Sequence, residues 1–100
     1  MPSTKMDGTE QTLFENTELA EYAGYIFVDS LESGDEIVLR AYIKDVEDGE
    51  YKLRDTYTVT YPPPVECIAV APTIGKVGFK ITAQQTAGTY KTLTHMWFKR

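Results

Sequence analysis

Two neighbouring segments in which apolar and polar residues alternate at every second position constrain the fold of this chain most. One face of residues 36–44 is apolar and consists of Ile37, Leu39, Ala41 and Ile43. Residues 51–61 repeat the pattern, and Glu47-Asp48-Gly49-Glu50 between the two segments has the composition of a hairpin turn. Because a period of two is the period of a half-buried strand, we predict an antiparallel β-hairpin here.

Other segments also have the composition of short strands, and turn-forming residues separate them. They are residues 10–16, 22–29, 65–71, 76–85 and 90–99. Pro62-Pro63-Pro64 lacks backbone donors, so it should end the strand before it and form a crossover between two sheets. The regular spacing of short strands predicts an all-β fold, an antiparallel β-sandwich of about seven to eight strands that is jelly-roll-like or immunoglobulin-like.

Two local features refine this prediction. Asp55 interrupts the apolar face of residues 51–61, which indicates a bulge, a strand end or a contact with a partner. The segment 84–89, with Gly88 free to adopt a positive φ, is interpreted as a turn. This turn should pair the strand that carries Val77, Phe79 and Ile81 with the strand that carries Trp97.

The chain length of 100 residues predicts one small domain. Residues 1–9 are mostly polar and contain Pro2 and Gly8, so we expect a flexible N-terminal arm, followed by a single sandwich domain over residues 10–100. The net charge of −5 argues against binding to a phosphate backbone, and no apolar run approaches membrane-spanning length. We therefore expect neither nucleic acid nor membrane as a partner.

The sequence offers few groups for catalysis. Cys67 is the sole cysteine and lies among apolar residues, so a buried thiol is expected. His95, the sole histidine, has no partner nearby in the sequence, and we assign it a structural or surface role rather than a catalytic or metal-binding one. We predict no catalytic residue, no cofactor and no metal, so that the protein is not an enzyme.

Two binding functions are open at this stage. The acidic loop with Asp45, Glu47, Asp48 and Glu50 could hold calcium, although a solvated turn explains it better. Tyrosines and Trp97 could form a platform on which sugar rings stack, whereas core packing is the alternative explanation of the same aromatics.

Three stretches carry a resemblance to a known class of proteins. They are Asp7-Gly8-Thr9-Glu10-Gln11-Thr12, Gly34–Arg40 together with Gly49–Leu53, and Gln84–Thr89. In them the chain resembles small virion structural proteins of tailed phages and related viruses. The resemblance implies a non-enzymatic capsid decoration, minor capsid or tail-associated subunit, located on the virion after synthesis in the host cytoplasm.

The same resemblance implies partners. It implies other virion proteins, above all the major capsid protein, and assembly as a homo-oligomer through the N-terminal arm and strand edges. A carbohydrate-binding β-sandwich module that uses exposed aromatics is the alternative. The candidate interaction residues are Asp7, Thr9, Gln11, Tyr61, Pro63 and Trp97.

Overall fold

The chain folds into two packed antiparallel sheets. A computed structural model describes the backbone of residues 2–100 and the side chains of residues 2–70 and 74–100. The strands are β1 (Ser3–Lys5), β2 (Gln11–Asn16), β3 (Ala20–Phe27), β4 (Glu36–Ile43), β5 (Lys52–Thr60), β6 (Cys67–Gly75), β7 (Phe79–Ala87) and β8 (Thr92–Lys99). Within residues 2–100 no helix is long and apolar enough to cross a membrane.

The strand order is that of a jelly roll. The first sheet has the order β1-β8-β3-β6 and the second sheet has the order β2-β7-β4-β5. Four nested antiparallel pairs generate this arrangement: β4 with β5, β3 with β6, β2 with β7, and β1 with β8. The predicted sandwich is confirmed, and the eight strands in two sheets of four follow the jelly-roll alternative rather than the immunoglobulin one.

Apolar side chains from the inner faces of both sheets form the core. Tyr22 of β3 and Phe79 of β7 stack across it with ring centroids 5.1 Å apart. Phe79, Ile81 and Ala83 are buried between the sheets, whereas Val77, which the sequence places on the same strand, precedes β7 and is half-buried. Alternation along β7 places every second residue between the sheets, and this burial provides most of the driving force for folding.

The N-terminal segment differs from the expected flexible arm. Ser3–Lys5 form β1, which pairs with β8 in the register Ser3↔Thr94 to Lys5↔Thr92. Met6, which follows β1, is 0% exposed and belongs to the core. The physical reason is that β8 offers an edge whose backbone groups need partners, and that the unbranched Met6 side chain fills space between the sheets.

The segment 84–89 also differs from its interpretation as a turn between paired strands. β7 continues to Ala87, and the turn lies further on, with Gly88 at a φ of 90°. β7 pairs with β2 and β4, whereas β8 pairs with β1 and β3. The connection therefore crosses from one sheet to the other, and the strand that carries Phe79 faces the one that carries Trp97 across the core.

The hairpin of β4 and β5 is confirmed, and so is the crossover at the three prolines, since β5 and β6 lie in different sheets. A bulge near Asp55 is confirmed as well. Ala41 pairs with Asp55 and Tyr42 pairs with Leu53, so Arg54 is the extra residue. Because one extra residue reverses the faces, Leu53 lies on the outer side of the second sheet, opposite to Tyr57 and Val59.

The connections gather at two ends of the sandwich. One end, which we call the loop end, is formed by residues 6–10, 28–35, 61–66 and 88–91. These connections lie together because every odd-numbered strand runs towards this end and every even-numbered strand runs away from it. The connections at residues 17–19, 44–51 and 76–78 form the opposite end.

Candidate interaction surfaces

The structure brings five of the six candidate interaction residues to the loop end. Asp7, Thr9 and Gln11 lie at the connection from β1 to β2, and Tyr61 and Pro63 lie at the connection from β5 to β6. These two groups are on opposite edges of the sandwich, because β2 and β5 are the outer strands of the second sheet. The loop end is therefore the first candidate surface, with these two groups at its opposite edges.

The residues around Asp7 order their own turn. The Thr9 backbone N–H donates to Asp7 Oδ1 over 2.9 Å, and the Gln11 side-chain amide donates to Thr9 Oγ1 over 3.4 Å. The hydrogen bonds from Thr9 lower the pKa of Asp7. Gly8 between them has a φ of 89°, a conformation that favours glycine. These contacts explain the residue types by turn geometry.

Trp97 is the sixth candidate, and the structure places it in the sandwich rather than on its surface. Its ring is half-buried and stacks on Phe14 with centroids 5.2 Å apart. Its Nε1–H donates to His95 Nδ1 over 2.7 Å. Trp97 is thus a packing residue, and it is a poor site for stacking a sugar because both its ring and its donor are in use.

The same contact defines the role of His95. With Nδ1 accepting from Trp97, the proton of the neutral ring is on Nε2, which lies 3.0 Å from Thr4 Oγ1. The residue is 2% exposed, and burial lowers its pKa. The structure places His95 in packing rather than on the surface. Nε2 joins β8 to β1 through Thr4, Nδ1 is bonded to Trp97 on the same strand, and neither nitrogen is free to serve as a base.

A buried polar cluster closes the loop end around Asp35. Asp35 Oδ1 accepts from the Thr89 backbone N–H over 3.0 Å, and its Oδ2 lies 2.8 Å from Lys91 Nζ. Gln85 donates to the Thr89 carbonyl over 2.8 Å and accepts from the Lys91 N–H over 2.9 Å. The hydrogen bond from Lys91 holds the pKa of Asp35 below its usual value, and Asp35 in turn raises the pKa of Lys91. This cluster positions the loop and has no unpaired group for chemistry.

An aromatic cluster covers the outer side of the second sheet. Tyr42 and Tyr51 meet edge to face at 6.5 Å, and Lys80 Nζ lies 4.9 Å and 4.6 Å from their ring centroids. Tyr42 donates to Glu10 over 2.6 Å, and Tyr51 donates to Glu15 over 2.8 Å. Burial, together with the Glu15 carboxylate, raises the pKa of Tyr51 to about 12. Both hydroxyls of the cluster are thus bound to carboxylates, and the Lys80 ammonium lies against the two rings.

The outer side of the first sheet carries a more accessible aromatic pair. Tyr25 of β3 is 41% exposed and Phe98 of β8 is 52% exposed, and their rings meet edge to face at 6.3 Å. A shallow pocket of about 430 Å³ lies beside them, and Glu21 and Arg100 line its rim as an ion pair with an N–O distance of 2.6 Å. Aromatic rings next to paired charged groups form the second candidate surface.

The third surface is a cleft on the side of the sandwich bounded by β5 and β6, which we call the open flank. The cleft has a volume of about 550 Å³, and core residues form its floor. They are Ile26, Leu39, Phe79 and Ile81. Arg54, Asp55 and Tyr57 line it on β5, and Cys67 and Ile68 line it on β6. Cys67 is half-buried here, less enclosed than the sequence indicates.

The acidic loop has a local explanation. Asp45 Oδ2 accepts from Lys52 Nζ over 2.6 Å across the hairpin, and this hydrogen bond lowers the pKa of Asp45. Within the part of the chain that the structure describes, no three His, Cys, Asp or Glu side chains are grouped so that they could hold a metal ion. The Asp45 region is a solvated turn fixed by an ion pair.

Sequence reasoning does not locate the open flank. The uncharged run Cys67-Ile68-Ala69-Val70 is typical of any buried strand, and only the strand order reveals that β6 is an edge. The bulge at Arg54 has a signal in the sequence, the interruption at Asp55, but its effect on the two faces of β5 depends on the pairing with β4.

Comparisons with known proteins add no relative. The chain matches no protein-family model, no curated protein and no solved structure. The resemblance to virion structural proteins therefore stays a prediction.

Proposed function

We propose that this chain is a non-enzymatic structural subunit of a virion, a capsid decoration or minor capsid protein, that assembles with other virion proteins through its strand edges. The observation that carries the proposal is the open flank, where two sheet edges lie side by side over an apolar cleft. Unpaired strand edges are a common route by which subunits join.

Two further points support this proposal. Jelly rolls occur among viral capsid domains, which is an analogy at the level of the fold and agrees with the resemblance carried by the sequence. The sole histidine uses both ring nitrogens in packing, so a structural role accounts for the group best suited to acid–base chemistry. Because residues 3–6 belong to the sandwich, the edges rather than an N-terminal arm make the contacts.

The test measures assembly directly. The purified protein is analysed by light scattering over a range of concentrations, and its co-sedimentation is measured with capsids and tails assembled from the genes that neighbour its own. We expect saturable binding to particles and the major capsid protein as partner. A protein that stays monomeric and sediments with neither capsids nor tails would refute the proposal.

Carbohydrate binding is the second candidate, and the pair of Tyr25 and Phe98 favours it. Both rings are exposed beside the Glu21–Arg100 ion pair, which could hydrogen-bond sugar hydroxyls. A glycan array followed by calorimetry tests it. Binding that Phe98→Ala abolishes and Tyr90→Ala leaves unchanged would support a glycan site, because Tyr90 is exposed to a similar extent but lies at the loop end. No binding across the array would reject it.

A further inference from the structure

The four outer strands of the two sheets differ in how well they are protected against pairing. β1 has three residues and β2 has six, so each offers a short edge. β5 has nine residues, but Lys52, Arg54 and Asp55 put charges along its first half, and the bulge interrupts it. Short edges, charges and bulges are the devices by which natural sheets avoid unwanted pairing.

β6 has a bulge opposite Tyr22–Gly24 and a proline at position 72, but its first four residues have none of these devices. Cys67-Ile68-Ala69-Val70 carries no charge, pairs with β3 on one side, and has no pairing strand on its other side among the residues that the structure describes. Ile68 and Val70 are only half-buried although both pack against the core. At the two ends of the strand region, Val65 is 51% exposed and Ile74 is 70% exposed. An uncharged apolar edge of this kind is a template for another strand.

The cleft lies where side chains of an added strand would project. A strand hydrogen-bonded to β6 would extend the first sheet into the gap beside β5, since strands lie about 4.8 Å apart. Its inward side chains would point towards the open side of the cleft, between Ile68 of β6 and Tyr57 of β5, and its outward side chains would join the outer side of the first sheet. The edge offers main-chain donors and acceptors, and the cleft offers apolar space on one face. Together they match an extended peptide better than a compact ligand.

We propose that the β6 edge receives an extended segment of a partner protein, which adds as a fifth strand to the first sheet and inserts apolar side chains at alternate positions into the cleft. This inference rests on the proposed function, because it names the partner chemistry that the open flank accepts. The segment is apolar at every second residue. It has a polar residue where the cleft opens at Arg54 and Asp55.

The test uses a probe peptide with the intact protein. The probe alternates valine and threonine over about ten residues, which is the length of a long strand. It has a lysine at one end and a glutamate at the other. Cys67 is the only cysteine and lines the cleft, so its rate of alkylation reports occupancy. We expect the probe to slow this alkylation and to give a dissociation constant by calorimetry. The same peptide N-methylated throughout lacks main-chain donors and should not bind.

Two variants with matched chemistry locate the contact. Val65→Asp places a charge at the cleft, and Val46→Asp places the same charge in the β4–β5 turn, where valine is 57% exposed. We expect Val65→Asp to weaken the probe at least about tenfold, since an unpaired carboxylate would be desolvated, and Val46→Asp to leave it unchanged. Both sites are exposed enough for the protein to stay folded, which circular dichroism checks.

Other occupants are separate outcomes. Dodecanoate that protects Cys67 when the peptide does not would overturn the proposal in favour of a small apolar ligand. A dimer that dissociates in Val65→Asp would overturn it in favour of a second copy of the chain. Equal binding of the N-methylated peptide would exclude strand addition. Peptide binding without binding to particles would reject the proposed function alone, and particle binding without peptide binding would reject this inference alone.

Discussion

Replacing Gly88 by alanine tests whether the loop end depends on the close approach of backbone to Asp35. Gly88 has a φ of 90°, and a Cβ at this position would lie 2.7 Å from Asp35 Cα and nearer still to its Oδ1. Carbon atoms in contact are normally about 3.5–4.0 Å apart. The loop or Asp35 must therefore move in Gly88→Ala, and the hydrogen bond from the Thr89 N–H to Asp35 would be stretched or lost.

The magnitude has two parts. Holding a non-glycine residue at a positive φ costs about 1–3 kcal/mol. Leaving a buried acceptor such as Asp35 without its donor costs about 1–3 kcal/mol more. Together they give a loss of about 2–6 kcal/mol, which is a large share of the roughly 5–15 kcal/mol by which a domain of this size is stable.

Gly34→Ala is the matched control. Gly34 has a φ of 93°, and nothing lies within 4 Å of the position that its Cβ would take. This variant should lose only the backbone part, about 1–3 kcal/mol. Urea unfolding followed by circular dichroism gives both free energies of unfolding at pH 7. A loss in Gly88→Ala no larger than that in Gly34→Ala would refute the claim that Asp35 requires glycine here.

Three further predictions concern the core, the histidine and the ion pairs. Met6→Ala should lower the free energy of unfolding by about 2–5 kcal/mol in urea titrations, because a fully buried side chain leaves a cavity, whereas a flexible arm would show no loss. Burial lowers the pKa of His95, so the stability that the neutral ring confers is complete above about pH 6.5 and is lost as the pH drops through the folded pKa. Between pH 7 and pH 5 the melting temperature of His95→Gln should therefore decline less than that of the unchanged protein. Lys91→Met should lower the melting temperature more than Lys52→Met, since Lys91 pairs with the buried Asp35 and Lys52 with an exposed carboxylate; equal shifts would contradict this reading.

The parts of the fold that the sequence predicts are those set by neighbours in the chain. The β4–β5 hairpin follows from alternation and a turn, and the crossover follows from three prolines that cannot donate backbone hydrogen bonds. Both need only the local conformation of a few residues. The same reasoning finds the bulge beside Asp55, because a carboxylate on an apolar face is itself a local irregularity.

The parts that the sequence leaves undetermined depend on partners distant in the chain. Thr4 and His95 are 91 residues apart, yet their contact joins β1 to β8. The alternation of residues predicts that Phe79 points inward, but it does not predict which strand lies beside β7. Strands that follow each other in the chain are expected to pair, whereas β7 and β8 lie in different sheets. The sequence allows Trp97 to lie either on the surface or in the core, and its stacking on Phe14 shows that it packs against the core.

Protection of the edges connects the fold to the proposed assembly. The sequence has a net charge of −5, yet residues 67–70 at the start of β6 carry no charge. On β5, the neighbouring edge of the same flank, charges and a bulge are tolerated. Since an uncharged apolar edge exposes a soluble domain to aggregation, its presence beside the cleft calls for an occupant. Adding charge to β6 at Ala69, which is exposed, should therefore leave folding intact while blocking strand addition. An Ala69→Lys variant that stays folded by circular dichroism and binds the probe peptide as tightly as the unchanged protein would refute strand addition at this edge.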